Sequence, residues 1–170
     1  TASNNTAVGY QSLTANTEGF SNSALGKSAL SSNTTGDKNV AVGHNALVLN
    51  TSASQNTAVG YQALYSNTTA AQNTAVGYLA LYSNTATRNT AVGWEALKAN
   101  TSGTGNIALG AYAGIANTTG GNNSFIGYDS APVNTSGANN TTLGAASLHA
   151  NTTGGSNTAI GKAALYWNTT

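Results

Sequence analysis

The chain has no cysteine, no methionine, one proline, and only five basic and four acidic side chains among its 170 residues. Without cysteine there is no disulfide framework and no thiolate metal site. The basic residues Lys27, Lys38, Arg88, Lys98 and Lys162 are scattered. Neutralising phosphates requires them clustered, so the composition argues against a nucleic-acid partner. No apolar run approaches the ~18–20 residues that span a bilayer, so no membrane insertion is expected. Carboxylates are equally sparse. Glu18, Asp37, Glu95 and Asp129 fall in different repeats and at different phases, whereas a general acid/base pair needs two carboxyl groups held a few ångströms apart. His44 and His149 lie far apart in the chain, and no acidic cluster joins either to complete a metal site. The expectation is a protein that is not an enzyme and that uses no cofactor.

In place of these features the chain repeats one unit: Asn-Thr-Ala-Val-Gly-Tyr-x-Ala-Leu-x-x-Asn-Thr-Thr-Gly-x-x. Its core glycine recurs at Gly9, Gly26, Gly43, Gly60, Gly77, Gly93, Gly110, Gly127, Gly144 and Gly161. Every step has the seventeen-position length of that unit, except the step from Gly77 to Gly93, which is one position shorter. A fixed period of this size marks a solenoid, in which each unit buries its apolar side by stacking on its neighbours. Segments this short, punctuated by Gly and Asn, are too brief for helices. The fold class predicted is therefore all-β: a parallel β-solenoid of ten coils, one per repeat, with a single coil shortened by one position. The repeat runs unbroken over residues 1–170 as a single domain. It starts and stops at the same phase without a polar capping coil, which reads as a segment of a longer fibre or a protomer that stacks end to end.

The aligned units show what each position tolerates. The residue before the glycine is always aliphatic, from Val8 and Leu25 to Leu143 and Ile160; four residues after it the column is Leu, except at Gly114 and Ala131. These two columns are the expected core. Alternation along Thr-Ala-Val-Gly puts Thr and Val on one face and Ala and Gly on the other. The glycine marks close approach of another backbone or a bend with positive φ. A core this thin leads us to expect that neighbouring chains supply further burial, as a homotrimer or an end-to-end filament.

Two asparagine columns have no exception. One opens the unit at Asn5, Asn22, Asn39, Asn56, Asn73, Asn89, Asn106, Asn123, Asn140 and Asn157. The other lies in the turn at Asn16, Asn33, Asn50, Asn67, Asn84, Asn100, Asn117, Asn134, Asn151 and Asn168. Stacked at strand spacing, identical amides can hydrogen-bond from coil to coil, and Asn also tolerates left-handed backbone and caps its own turn. The shorter unit loses its residue between Asn84 and Asn89, inside this turn.

Three outer features invite a functional reading. Thr or Ser two residues on makes sequons of Asn33, Asn50, Asn67, Asn100, Asn117, Asn134, Asn151 and Asn168, with others at Asn4, Asn122, Asn139 and Asn140. The first seven are the candidate glycosylation sites, although Asn16 and Asn84 keep the Asn-Thr pair without the sequon, which favours a turn role for the pair. An unbroken Thr column, Thr17 to Thr169, raises ice binding by a regular hydroxyl array as the alternative function; the strand column is not kept as Thr, since Val40 and Ile107 interrupt it. Aromatics gather just after the glycine (Tyr61, Tyr78, Trp94) and four residues later (Tyr65, Tyr82), as candidate surface rings for carbohydrate, for stacking between coils, or for contact between chains.

The units Asn5-Thr-Ala-Val-Gly9, Asn56-Thr-Ala-Val-Gly60 and Asn157-Thr-Ala-Ile-Gly161 resemble the β-roll repeats of trimeric autotransporter adhesin heads. The stretch Asn56 to Thr69 is similar to the repeat arrays of bacterial and phage tail-fibre-like proteins. The Asn-Thr-Thr-Gly turn is longer than in the adhesin heads. This resemblance implies a left-handed β-roll, usually trimeric, displayed outside the cell, on the cell surface or on a virion, with surface carbohydrate or a host receptor as partner. The function expected is a structural extracellular fibre or adhesin-type rod.

Overall fold

The computed structural model describes residues 2–170. Ten three-residue strands recur once per repeat: β1 Thr6–Val8, β2 Ser23–Leu25, β3 Val40–Val42, β4 Thr57–Val59, β5 Thr74–Val76, β6 Thr90–Val92, β7 Ile107–Leu109, β8 Ser124–Ile126, β9 Thr141–Leu143 and β10 Thr158–Ile160. They form one parallel sheet in chain order. Register is strict, with Thr6 beside Ser23, Ala7 beside Ala24 and Val8 beside Leu25. The remainder of each coil is turn and bend, so the molecule is a β-solenoid in which each repeat makes one coil stacked on the next.

Each strand ends at its glycine for two reasons that act together. The glycine φ lies at +117 to +141° throughout, a region that L side chains rarely adopt. A Cβ placed on Gly9, moreover, would stand 2.5 Å from the carbonyl oxygen of Gly26 in the next coil. The chain then runs through overlapping turns. Ser12 N–H donates to the Gly9 carbonyl and Asn16 N–H to that of Leu13. Positive φ falls two and four residues past the glycine, at Gln11 (55°) and Leu13 (52°) in the first coil. Positive φ at the third residue of a turn is the type II pattern. A third such residue precedes the strand asparagine, as at Gln55 and Gln72. Left-handed backbone thus sits on Leu and on the residue before Asn, not on the ladder asparagines that the sequence made candidates for it.

The core differs from the sequence expectation in one column. Ala, not Val, is the buried strand residue: Ala41, Ala58, Ala75, Ala91 and Ala108 are fully enclosed, with Leu30, Leu47, Leu64, Leu81 and Leu97 opposite. The aliphatic column faces outward, from 56% exposed at Val8 to 38% at Val92 and 66% at Ile160. The turn carries a small residue and then Leu inward, as at Ala63 and Leu64, and a second large side chain from the strand would not fit the same narrow cross-section. One exchange demonstrates the limit. Where Leu gives way to Gly114 and then Ala131, the Ala column supplies Phe125, and a Cβ on Gly114 would collide with the Phe125 ring. In the next coil Thr142 takes the Ala position and its hydroxyl pairs with Ser130.

Candidate functional site: the outer columns

Both asparagine columns are stacked, each by its own chemistry. In the strand column the side-chain Oδ1 accepts the backbone N–H of the next asparagine, Asn22 to Asn5 at 2.8 Å and Asn39 to Asn22 at 2.9 Å. Its Nδ2 donates to a turn carbonyl, Asn22 to Gly36 at 2.8 Å. In the turn column amide meets amide: Asn33 Nδ2 donates to Asn16 Oδ1 at 2.8 Å and Asn50 Nδ2 to Asn33 Oδ1 at 2.7 Å. The same Asn33 nitrogen reaches the Gly36 carbonyl at 3.0 Å, so one turn carbonyl ties the two columns together. Buried amides are costly unless paired; here the pairing propagates along the stack.

The turn column has one fault. Asn84 Nδ2 turns to its own coil's Ala86 carbonyl at 2.7 Å, and Asn67 Oδ1 is left as the buried side-chain polar atom without a partner among the described residues. The Thr ladder is interrupted at the same step. Thr51 N–H donates to the Thr68 carbonyl at 3.0 Å and Thr85 N–H to that of Thr101 at 3.0 Å, but Thr68 makes no such bond to Thr85. This is the place of the shortened coil. The strand backbone stays paired, with Thr74 N–H on the Asn89 carbonyl at 2.9 Å, while Asn73 Nδ2 falls back on the Ala70 carbonyl at 3.4 Å.

The candidate glycosylation residues Asn33, Asn50, Asn67, Asn100, Asn117, Asn134 and Asn151 are all fully buried. Their Nδ2 atoms donate within the rod, as in Asn117 to Asn100 at 2.8 Å and Asn151 to Asn134 at 2.7 Å. The folded chain thus keeps these seven side-chain amides inside the rod. Asn4, Asn122 and Asn139 are the exposed sequon asparagines, whereas Asn140 is buried. The Thr column lies at the surface, but its hydroxyls are engaged. Thr34 Oγ1 donates to the Thr51 carbonyl at 3.0 Å and Thr101 Oγ1 to that of Thr118 at 3.0 Å.

The candidate rings come together as ladders. Tyr61 and Tyr78 stack at 5.4 Å and 11°, Tyr78 and Trp94 at 4.1 Å and 18°, with His44 tilted against Tyr61 at 5.4 Å. Tyr65 and Tyr82 stack at 5.0 Å and 16°. Rings held parallel cover one another's faces and expose mainly their edges. Farther along, Tyr112 meets Tyr128 edge-on at 6.0 Å and His149 stacks on Tyr166 at 4.5 Å. On these turns Lys98 forms an ion pair with Glu95 at 3.0 Å, and His149 Nε2 lies 3.3 Å from an Asp129 carboxylate oxygen.

The aliphatic column was the feature hidden from sequence reasoning. It lines the outer face of the sheet, with Val8, Leu25, Val92, Leu109, Leu143 and Ile160 exposed and Val42, Val59, Val76 and Ile126 half-buried. Comparison with known proteins gives no match: no family model fits the chain, and no curated protein or solved structure is significantly similar to it.

Proposed function

We propose that the chain is a rigid structural rod that associates with copies of itself, an extracellular fibre or adhesin-type segment displayed on a cell surface or virion. The observation that carries this reading is the outward aliphatic column, six of its ten members exposed and Val42, Val59, Val76 and Ile126 half-buried, on an in-register ten-stranded sheet. A ridge of this kind on a monomer is an interaction surface. With strands at ~4.8 Å and residues at ~3.3 Å, ten three-residue strands make a strip of about 48 by 10 Å, or ~480 Å². A standard interface buries ~800 Å² per partner, so association through the strip is expected to depend on concentration. A side-by-side homotrimer would use this strip, whereas an end-to-end filament would pair the terminal coils.

The reading assigns the chain no catalysis, no cofactor and no nucleic-acid partner. Sugars displayed on the rod would have to sit elsewhere than the seven buried turn asparagines. Ice binding is the weaker alternative, because the turn Thr hydroxyls already donate to the next coil.

Sedimentation velocity tests the proposal. The expected result is a species heavier than the 16.9 kDa chain, returned to monomer by Val59→Lys with Val76→Lys while circular dichroism stays unchanged. A monomer at every concentration tested would overturn it. Thermal hysteresis abolished by Thr68→Tyr and Thr118→Tyr would favour the alternative.

A further inference from the structure

We propose that Tyr65 and Tyr82 are a site of oxidative modification, where a haem peroxidase and hydrogen peroxide join the two rings into a dityrosine that staples adjacent coils. The bond forms within one chain, so the proposal goes beyond the self-associating rod and is tested apart from it.

The backbone sets the geometry. Leu64 N–H donates to the Ala80 carbonyl at 3.1 Å and Ser66 N–H to the Tyr82 carbonyl at 3.0 Å. The two tyrosines therefore hold the same position in successive coils. Their rings stack at 5.0 Å between centroids and 16° from parallel. Side chains stacked in this way keep corresponding ring carbons about a centroid spacing apart, within reach of a small ring rotation. Both residues are half-buried, so their edges stay open to solvent. The pair is also isolated, because its neighbours in the column, Val48 and Lys98, carry no ring. The other tyrosine contacts differ on these points. Tyr78 lies between Tyr61 at 5.4 Å and Trp94 at 4.1 Å, and the indole competes for any radical formed there. Tyr112 and Tyr128 meet edge-on, at 6.0 Å and 80°, without the face-to-face overlap.

The chemistry is phenol coupling. The peroxidase removes one electron and the phenolic proton from each tyrosine. The two phenoxyl radicals share their spin with the carbons ortho to oxygen, and a bond forms between one such carbon of each ring. The hydrogen on each bonded carbon leaves as a proton while each oxygen takes one up, which restores two phenols. The two electrons and two protons removed reduce one hydrogen peroxide to two waters.

The place of the bond gives it a consequence. Asn67 and Asn84 follow these tyrosines by two residues, and the amide ladder lapses between them: Asn84 Nδ2 turns to the Ala86 carbonyl at 2.7 Å and Asn67 Oδ1 has no partner. A covalent bond beside this lapse clamps the junction that the interior leaves weak, since a cross-link removes open states from the ensemble.

The test treats the full chain at low concentration with a haem peroxidase and hydrogen peroxide, and isolates the single-chain product under denaturing conditions. That product is expected to be lighter by two hydrogens and to show dityrosine fluorescence. The loss should fall in the tryptic fragment from Asn39 to Arg88, not in that from Ala99 to Lys162, which carries Tyr112 and Tyr128. Tyr65→Phe keeps a stacked ring and should abolish the coupling, while Tyr61→Phe should leave it intact. Exchange of the Ser66 amide, which crosses the junction, should slow at least about tenfold in the cross-linked chain, followed by NMR. No two-hydrogen loss in the first fragment, persistence in Tyr65→Phe, or equal loss in Tyr61→Phe would each overturn the proposal. So would the same yield from urea-unfolded chain, or unchanged Ser66 exchange. Sedimentation of the untreated chain reads self-association separately, so either reading can fail while the other stands.

Discussion

At the scale of single residues, the decisive fact is that the buried leucines hold left-handed backbone. Leu64, at φ 52°, and its column mates adopt a conformation that costs an L residue ~1–2 kcal/mol. Burying the side chain returns ~1.5–3 kcal/mol, so the column is retained because most coils offer the core no other large residue. Leu64→Ala is therefore expected to lower stability by ~2–5 kcal/mol, whereas Val59→Ala in the outward column should cost below ~1 kcal/mol in the monomer. Denaturant midpoints of the two variants at low protein concentration check the contrast; equal losses would return Val to the core. The sequence made Leu legible as core and misassigned Val for a physical reason. Period-two alternation separates Thr and Val from Ala and Gly but does not say which pair faces inward, and apolarity favours Val. The inward direction is set by the turn, which already delivers Ala63 and Leu64 to the interior. Nothing local in Gln-Ala-Leu announces alternating left-handed residues, so that feature was illegible.

At the scale of the coil, variation is compensated across neighbours. Phe125 fills what Gly114 and Ala131 leave empty, which makes the two strand-to-turn positions a coupled pair. Phe125→Ala alone should cost ~3–5 kcal/mol and Gly114→Leu alone ~1–3 kcal/mol from overpacking. The double variant restores the Ala and Leu found in most coils and should recover stability, giving a coupling of ~1 kcal/mol or more in a double-mutant cycle. Additive losses would deny the exchange. The shortened coil shows the opposite case, a change its neighbours do not absorb. Its position was legible from the spacing of Asn84 and Asn89; its consequence was not, because a missing residue reads as a tolerated loop change until Asn67 Oδ1 is seen without a donor. Inserting Thr between Thr85 and Ala86 restores the common length and is expected to raise stability by ~1–3 kcal/mol, the cost of an unsatisfied buried group. An unchanged midpoint would mean that the fault is already satisfied in solution.

At the scale of the whole molecule, each coil touches only its neighbours, so the rod is as cooperative as its weakest junction. That junction is the fault between residues 56–72 and 73–88, where the Thr and turn-Asn bonds lapse together. Two aromatic stacks bridge this same junction, Tyr61 on Tyr78 and Tyr65 on Tyr82, and each is worth ~0.5–1.5 kcal/mol beyond its burial. Their sum is comparable with the ~0.5–1.5 kcal/mol that each of the missing hydrogen bonds would contribute. The stacks thus strap the surface where the interior ladder is broken. Replacing Tyr61 and Tyr65 together by Ala should uncouple the array into two cooperative blocks on either side of the junction. Hydrogen exchange followed by mass spectrometry would then show residues 2–72 and 73–170 losing protection at different denaturant concentrations, where the parent loses it in one step. The control is the pair Tyr82→Ala with Tyr166→Ala, which takes only one strap from the junction and should leave a single transition. If the Tyr61 and Tyr65 variant still unfolds in one step, merely at lower denaturant, the junction is held by the strand ladder alone and the rings contribute surface without cooperativity.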